Sequence, residues 1–217
     1  MVKIAPSLLS ANFACLKQEI DKIEAAEWIH YDVMDGHFVP NISFGYSILK
    51  DISKVTDKYL DVHLMISDPF KYVDNFIASN ASLIVFHYEA VEENEIDKLI
   101  KHIKNNNVDV GIAIKPDTCQ DVLKPFLSQL DLVLVMSVEP GFGGQTFNHS
   151  AIEKISKLAK LREENNYHYL IEVDGGINES TAKLCRQAGV DVLVAGSYVF
   201  NSDDYTKAIE SLKCRQD

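Results

Sequence analysis

The chain has 217 residues, of which 47% are apolar and 24% charged, with Gly 10, Pro 6 and a formal net charge of −11. That balance fits one soluble globular domain spanning residues 1–217 and excludes disordered, collagen-like and disulfide-scaffold classes. The 21 basic residues stand scattered among 32 acidic ones, so no clustered cationic face is available to grip nucleic acid, and no apolar run reaches the roughly 20 residues a membrane span needs.

In chain order, β-branched runs alternate with amphipathic segments. KIAPS (3–7) reads as a strand, ACLKQEIDKIEAA (14–26) as a helix and WIHYDVM (28–34) as the second strand. SILKDISKV serves as a short helix before the strand YLDVHLM (59–65). PFKYVDNFIASN (69–80), SLIVFH (82–87), NEIDKLIKHIKNN (94–106) and VDVGIAI (108–114) continue the alternation. CQDVLKPFLSQ (119–129), LDLVLVMS (130–137), AIEKISKLAKLREEN (151–165), YLIEVD (169–174), STAKLCRQAG (180–189) and VDVLVAG (190–196) complete it. Near-continuous apolar strands separated by helices imply a parallel sheet covered by helices. Eight strands, with no GxGxxG after the first and no linker dividing the chain, point to a single (β/α)₈ barrel rather than an open doubly wound sheet.

Chemistry-bearing residues collect where such a barrel builds its active site, at the strand C-terminal ends. Ser7 closes the first strand. His30 and Asp32, at i and i+2, share one face of the second; His63 stands on the third, and Asp174 ends the seventh. Two imidazoles and two carboxylates converging on a barrel mouth form a plausible divalent-metal site, because four such groups are costly to bury unpaired. His37, His87, His102, His149 and His168 read as ordinary histidines, although His87 also ends a strand and could border the pocket. Asp35 belongs to a DG turn. Asp61 reads as a strand-start residue or as an orienting partner for His63.

Glycine loops follow three consecutive strands: PGFGG (140–144), DGG (174–176) and GS (196–197). Glycine lets backbone approach a ligand closely, and barrels often bind phosphate in the loops after strands seven and eight, so these loops with the Ser197 hydroxyl point to a phosphate site. Apart from the initiator, the methionines are Met34, Met65 and Met136, and each ends a strand. Together they suggest an apolar wall that keeps water from a reactive intermediate.

The motifs SLLSAN (7–12), HYDVMDGHFVPN (30–41), DVHLM (61–65), MSVEPGFGGQTF (136–147), VDGGI (173–177) and VAGS (194–197), in order over nearly the whole chain, resemble the ribulose-phosphate 3-epimerase family. The resemblance implies a (β/α)₈ barrel that interconverts D-ribulose 5-phosphate and D-xylulose 5-phosphate. It implies one divalent ion (zinc favoured over iron(II), manganese or cobalt) on His30, Asp32, His63 and Asp174, with Asp32 and Asp174 as acid and base. It also implies substrate or phosphate contacts from Ser7, His63, Gly141, Phe142, Gly143, Gly144, Gly175, Gly176, Gly196 and Ser197. Inversion next to a ketone calls independently for two carboxylates, one for each face of the carbon. Glu139 stands where many members carry Asn, which leaves the assignment intact. D-allulose 6-phosphate is the alternative substrate. A metal-dependent sugar-phosphate hydrolase and a non-catalytic sugar-phosphate sensor are the rivals from other classes. The N-terminus lacks signal-peptide features, and the cysteines Cys15, Cys119, Cys185 and Cys214 show no CxxC spacing, so a cytoplasmic location with reduced thiols is expected; the expected assembly is a homo-oligomer.

Overall fold

All eight expected strands form, each ending within two residues of the boundaries read from sequence, in a computed structural model that describes residues 2–213. Met1 and residues 214–217 lie outside the described residues, and with them Cys214 and the outermost ends of the domain assignment. The strands are β1 (Lys3–Pro6), β2 (Trp28–Met34), β3 (Tyr59–Met65), β4 (Leu83–His87), β5 (Asp109–Ile114), β6 (Leu132–Met136), β7 (Leu170–Asp174) and β8 (Val192–Ala195). They pair in parallel in the order β1-β8-β7-β6-β5-β4-β3-β2. Ser7 closes the ring: it lies just past β1, bridges to His30 on β2 and donates its backbone N–H to Ala195 O at 3.2 Å. The closed parallel sheet is the (β/α)₈ barrel expected.

Its helices are α1 (Leu16–Lys22), α2 (Tyr46–Ile52), α3 (Pro69–Ile77), α4 (Glu93–Asn105), α5 (Ser150–Asn165), α6 (Glu179–Ala188), α7 (Ser197–Phe200) and α8 (Tyr205–Lys213). Local chemistry sets several ends. Asp68 caps α3 by accepting from Lys71 N at 3.1 Å, with Pro69 at the first position, where its missing N–H costs nothing. Asn178 and Thr181 exchange hydrogen bonds in a capping box that starts α6, and Gly189, with φ of 101°, stops it. One expected helix does not form. Residues 119–129 make two short 3₁₀ turns, Gln120–Leu123 and Leu127–Gln129, because Pro125 between them lacks an N–H and crowds the preceding turn. Helix α1 is likewise shorter than 14–26, preceded by a 3₁₀ turn at Phe13–Cys15. Helices α7 and α8 follow β8 beyond the segments whose periodicity points to helix.

The chain exposes 10,034 Å², the area size scaling gives for a compact monomer of this length. Its apolar core has two parts. The larger lies between strands and helices and includes Ile20, Leu49, Phe76, Leu99, Leu158 and Ile209. The smaller fills the barrel interior with Ala5, Leu83, Val85, Ala113, Leu132, Leu134, Val192 and Val194. The interior is apolar on β5, β6, β8 and β1 and at Leu83 and Val85 of β4, whereas β2, β3 and β7 point polar pairs inward (His30 and Asp32, Asp61 and His63, Glu172 and Asp174) and His87 ends β4 against His63. This division places the site.

Candidate metal and sugar-phosphate site

His30, Asp32, His63 and Asp174 meet at the floor of the mouth, each offering a donor atom within 4.8 Å of the others. His30 Nε2 stands 3.3 Å from Asp32 Oδ1, 3.3 Å from His63 Nδ1 and 3.9 Å from Asp174 Oδ2. His63 Nδ1 is 3.4 Å from Asp32 Oδ1. Both imidazoles and Asp32 are buried, while the Asp174 side chain keeps 20% of its surface exposed toward the opening. The donor set is the mixed imidazole–carboxylate kind that suits zinc and neighbouring divalent ions. The ligand atoms of all four face one point, so these residues fit a metal ion.

The two aspartates differ in acidity. Burial favours the neutral form of Asp32, but the imidazoles of His30 and His63 beside it outweigh that and hold the carboxyl far below the ordinary carboxylate range. Asp174 is pushed up to about 6, first by burial and then by the charge of Asp32. Ser7 Oγ donates to Asp32 Oδ2 at 2.5 Å, and Ser43 Oγ donates to the Asp32 carbonyl at 2.6 Å, so that strand end is tied on both sides.

Beneath the four residues lies a layer that the strand-end reading does not reach. Asp61 is the third residue of β3, not its start, and it partners His30 rather than His63: His30 Nδ1 donates to Asp61 Oδ2 at 2.5 Å. Glu172 Oε1 lies 3.9 Å from the same His30 Nδ1. Among the described residues, Asp61 Oδ1 and both Glu172 oxygens have no hydrogen-bond partner. Burial and then the Asp61 charge hold the Glu172 carboxyl well above its ordinary range. The i, i+2 spacing that marks His30 with Asp32 also marks Asp61 with His63 and Glu172 with Asp174, and it is the signal that could have found both acids. His87 is fully buried and does not border the pocket; it hydrogen-bonds to His63. His37, His149 and His168 are exposed, and His102 pairs with Asp74 at 2.6 Å on the surface.

Above this floor opens a pocket whose empty space, counted out into open solvent, is about 540 Å³. Of the expected contact residues it is lined by Ser7, Asp32, Met34, Met65, Met136, the Gly141–Gly144 loop with Phe142, Asp174, Gly175, Gly176, Gly196 and Ser197; His30 and His63 lie below it. The three methionines are buried at their strand ends, and Met34 and Met65 pack with Val39. Among the described residues no lysine or arginine lines it, and Glu139 does, so an anion here would be met by backbone N–H groups and hydroxyls. The glycines are not all there for ligand approach. A Cβ at Gly175 would lie 2.5 Å from Val138, at Gly176 2.5 Å from Phe147 N, and at Gly196 2.6 Å from Ser10 Oγ. Gly175 and Gly176, where φ is also positive, are required by neighbouring protein atoms, whereas the Ser10 hydroxyl beside Gly196 can turn aside. At Gly143 and Gly144 the space is open or nearly so, with only Ser10 Oγ within 4 Å of the former.

Residues 3–200 match the ribulose-phosphate 3 epimerase family. The chain belongs to that family. It is 45% identical over 216 residues to ribulose-phosphate 3-epimerase of Bacillus subtilis (strain 168), covering 98% of this chain and 99% of that one. It is 42% identical to the corresponding protein of Helicobacter pylori (strain J99), covering 98% and 97%, and 42% identical to the chloroplastic ribulose-5-phosphate-3-epimerase of Arabidopsis thaliana, covering 97% and 75%. Among solved structures, 3-keto-L-gulonate-6-phosphate decarboxylase from Vibrio cholerae superposes with a TM-score of 0.73 at 12% identity, covering 98% of this chain and 95% of that one. The 3-hexulose-6-phosphate synthase from Salmonella typhimurium superposes with a TM-score of 0.72 at 17% identity, covering 97% and 96%. At these identities the likeness concerns the barrel alone. Among the described residues no helix is long and apolar enough to cross a membrane.

Proposed function

We propose that the protein interconverts D-ribulose 5-phosphate and D-xylulose 5-phosphate, with Asp32 and Asp174 working on opposite faces of C3. The observation that carries this reading is the convergence of two carboxylates, from β2 and β7, with two imidazoles in a single cluster under a glycine-lined cavity. Asp32 is fixed by Ser7 and by the His30 contact, so its orientation toward the substrate is set before binding. Asp174 faces the opening from β7, and the backbone carbonyl behind it is held by Ser137 Oγ at 2.9 Å. Removing the C3 proton to one carboxylate and returning one from the other inverts the centre, and microscopic reversibility exchanges their roles for the reverse reaction.

His30, Asp32, His63 and Asp174 would hold one divalent ion, with zinc the favoured metal. Such an ion supplies Lewis-acid stabilisation of the negative charge that develops on the substrate oxygens beside C3. Met34, Met65 and Met136 exclude water around the reacting carbon. The open backbone at Gly143 and Gly144, with Ser197, receives the phosphate, and Gly175, Gly176 and Gly196 shape the loops that frame it. Ser7 acts on substrate through Asp32 as well as by lining the cavity. The net charge of −11 supports a protein without a nucleic-acid partner, and the reading is of a cytoplasmic homo-oligomer.

Metal-loaded enzyme given D-ribulose 5-phosphate should yield D-xylulose 5-phosphate without releasing inorganic phosphate. Ribulose lacking its phosphate should be a very poor substrate, because remote binding energy positions C3. Phosphate release without epimer formation would establish the hydrolase instead. Faster turnover of D-allulose 6-phosphate would reassign the substrate.

A further inference from the structure

His63 has two ring nitrogens, and the structure gives each a different neighbour. Nδ1 faces the cluster, 3.4 Å from Asp32 Oδ1. Nε2 points away from the cavity and lies 2.9 Å from Nε2 of His87. The His63 and His87 rings meet edge to edge, 5.0 Å between centroids and 28° from parallel planes, and Phe38 flanks His87 at 4.8 Å. On its far side His87 Nδ1 meets Glu89 Oε2 at 3.2 Å. The other oxygen, Glu89 Oε1, accepts the backbone N–H of Lys115 at 2.8 Å and the hydroxyl of Thr118. Lys154 on α5 donates to the carbonyls of Lys115, Pro116 and Thr118 at 3.1, 2.6 and 2.6 Å, which fixes the loop that holds Glu89.

Proton positions along this chain follow from its two ends. The carboxylate end only accepts, so His87 carries its proton on Nδ1 and offers a bare Nε2. His63 must then carry its proton on Nε2, which leaves the Nδ1 lone pair free at the cluster.

We propose that His87 and Glu89 are positioning residues that fix the tautomer of His63 and so present Nδ1 as a ligand atom. The inference rests on the metal-site reading of His30, Asp32, His63 and Asp174. Asp61 does the matching task for His30 from the opposite ring nitrogen, since His30 Nδ1 donates to it and Nε2 faces the cluster. The two histidines thus enter the site through different nitrogens, each set by the group behind it.

Glu89→Gln tests the chain with almost no change of shape. The Lys115 N–H can only donate, so the new amide oxygen must face it and the NH₂ must face His87 Nδ1. That reverses every bond: His87 donates from Nε2 to His63 Nε2, and the proton of His63 moves to Nδ1, where it blocks the lone pair. Long-range ¹H–¹⁵N NMR of the histidine rings in metal-free protein should show Nε2–H at His63 in the wild type and Nδ1–H in Glu89→Gln. Zinc affinity, measured by competition with a chelator, should fall by about tenfold or more in that variant. His87→Gln keeps an acceptor toward His63 and a donor toward Glu89, so it should retain the wild-type tautomer and zinc affinity within about threefold, and it carries the test if Glu89→Gln does not fold. An unchanged His63 tautomer in Glu89→Gln, or a lost one in His87→Gln, overturns the proposal. A wild-type protein that binds no zinc refutes the metal-site reading, while the ring spectra still decide the chain.

Discussion

Asp32 and Asp174 bring the same functional group to one cluster, and their surroundings separate them. Asp32 lies against His30 and His63 and stays ionised; Asp174 has more burial cost than compensation and titrates at about 6. If each serves one face of C3, replacing either with Asn removes one base while keeping the shape. Epimerisation should fall by about 10²–10⁴-fold in Asp32→Asn and in Asp174→Asn. The surviving carboxylate can still abstract and return a proton on its own face. In heavy water, NMR should therefore show one variant washing deuterium into C3 of ribulose 5-phosphate and the other into C3 of xylulose 5-phosphate. Both residues are proposed ligands, so rates must be compared at matched metal content. Near-wild-type epimerisation by both loaded variants would remove these residues from the proton transfers.

Among the elements, the loops after β2 and β3 form one unit, and Asp35 is its joint. In sequence Asp35 reads as a turn residue, and it does accept from His37 N and Phe38 N at 2.8 and 2.9 Å. The same carboxylate also takes the Ser67 N–H and hydroxyl at 2.8 and 2.7 Å, tying the loop beyond Met34 to the loop beyond Met65. Partial burial pushes its pKa up, but the N–H donors of Ser67, His37 and Phe38 prevail and lower it to about 2. A carboxyl whose folded pKa is depressed stabilises above its unfolded value, near 4, and loses that contribution as pH falls through about 2. Asp35→Asn should cost about 1–2 kcal/mol at pH 7, seen as a Tm lower by roughly 2–8 °C. The gap should hold between pH 7 and 5 and close below pH 4. A gap that is the same at pH 3 as at pH 7 would mean that Asp35 acts by shape and not by charge. The turn was legible because DG chemistry is local. The tie to Ser67 was not: the barrel expectation makes β2 and β3 neighbours, but nothing in either segment says that the Ser67 N–H and hydroxyl meet the Asp35 carboxylate. The same difference separates Asp32 from Asp61: both obey the period-two rule, but only Asp32 sits near a strand end, where function is sought. The missing helix at 119–129 has a local cause, since Leu123 and Leu127 are buried as a helical period asks while Pro125 forbids the helix.

For the whole molecule, the barrel is folded by one set of residues and made functional by another. The apolar layers on β4–β6, β8 and β1, together with the core beneath the helices, do not involve the metal cluster. The polar sector on β2, β3 and β7 instead gathers Asp32, Asp61, Glu172 and Asp174 around two imidazoles, with three carboxyl oxygens unpartnered among the described residues. Burying that many carboxyl groups, with three of their oxygens unpartnered, lowers the stability of the metal-free chain without altering the core that defines the fold. A divalent ion that binds only the folded state should therefore raise the melting temperature in proportion to the logarithm of its concentration. At 100 times its Kd the gain is about 2.7 kcal/mol, or roughly 5–11 °C for a chain of this size. Chelation should abolish epimerase activity and reverse the shift, while the far-UV circular dichroism of the barrel stays unchanged. His30→Ala and His63→Ala should each lose the zinc-dependent shift, because each removes an imidazole donor. If zinc, manganese, cobalt and iron(II) all leave the melting temperature of the wild type where it was, the cluster is not a metal site, and the buried carboxylates must be held by hydrogen bonds of their own.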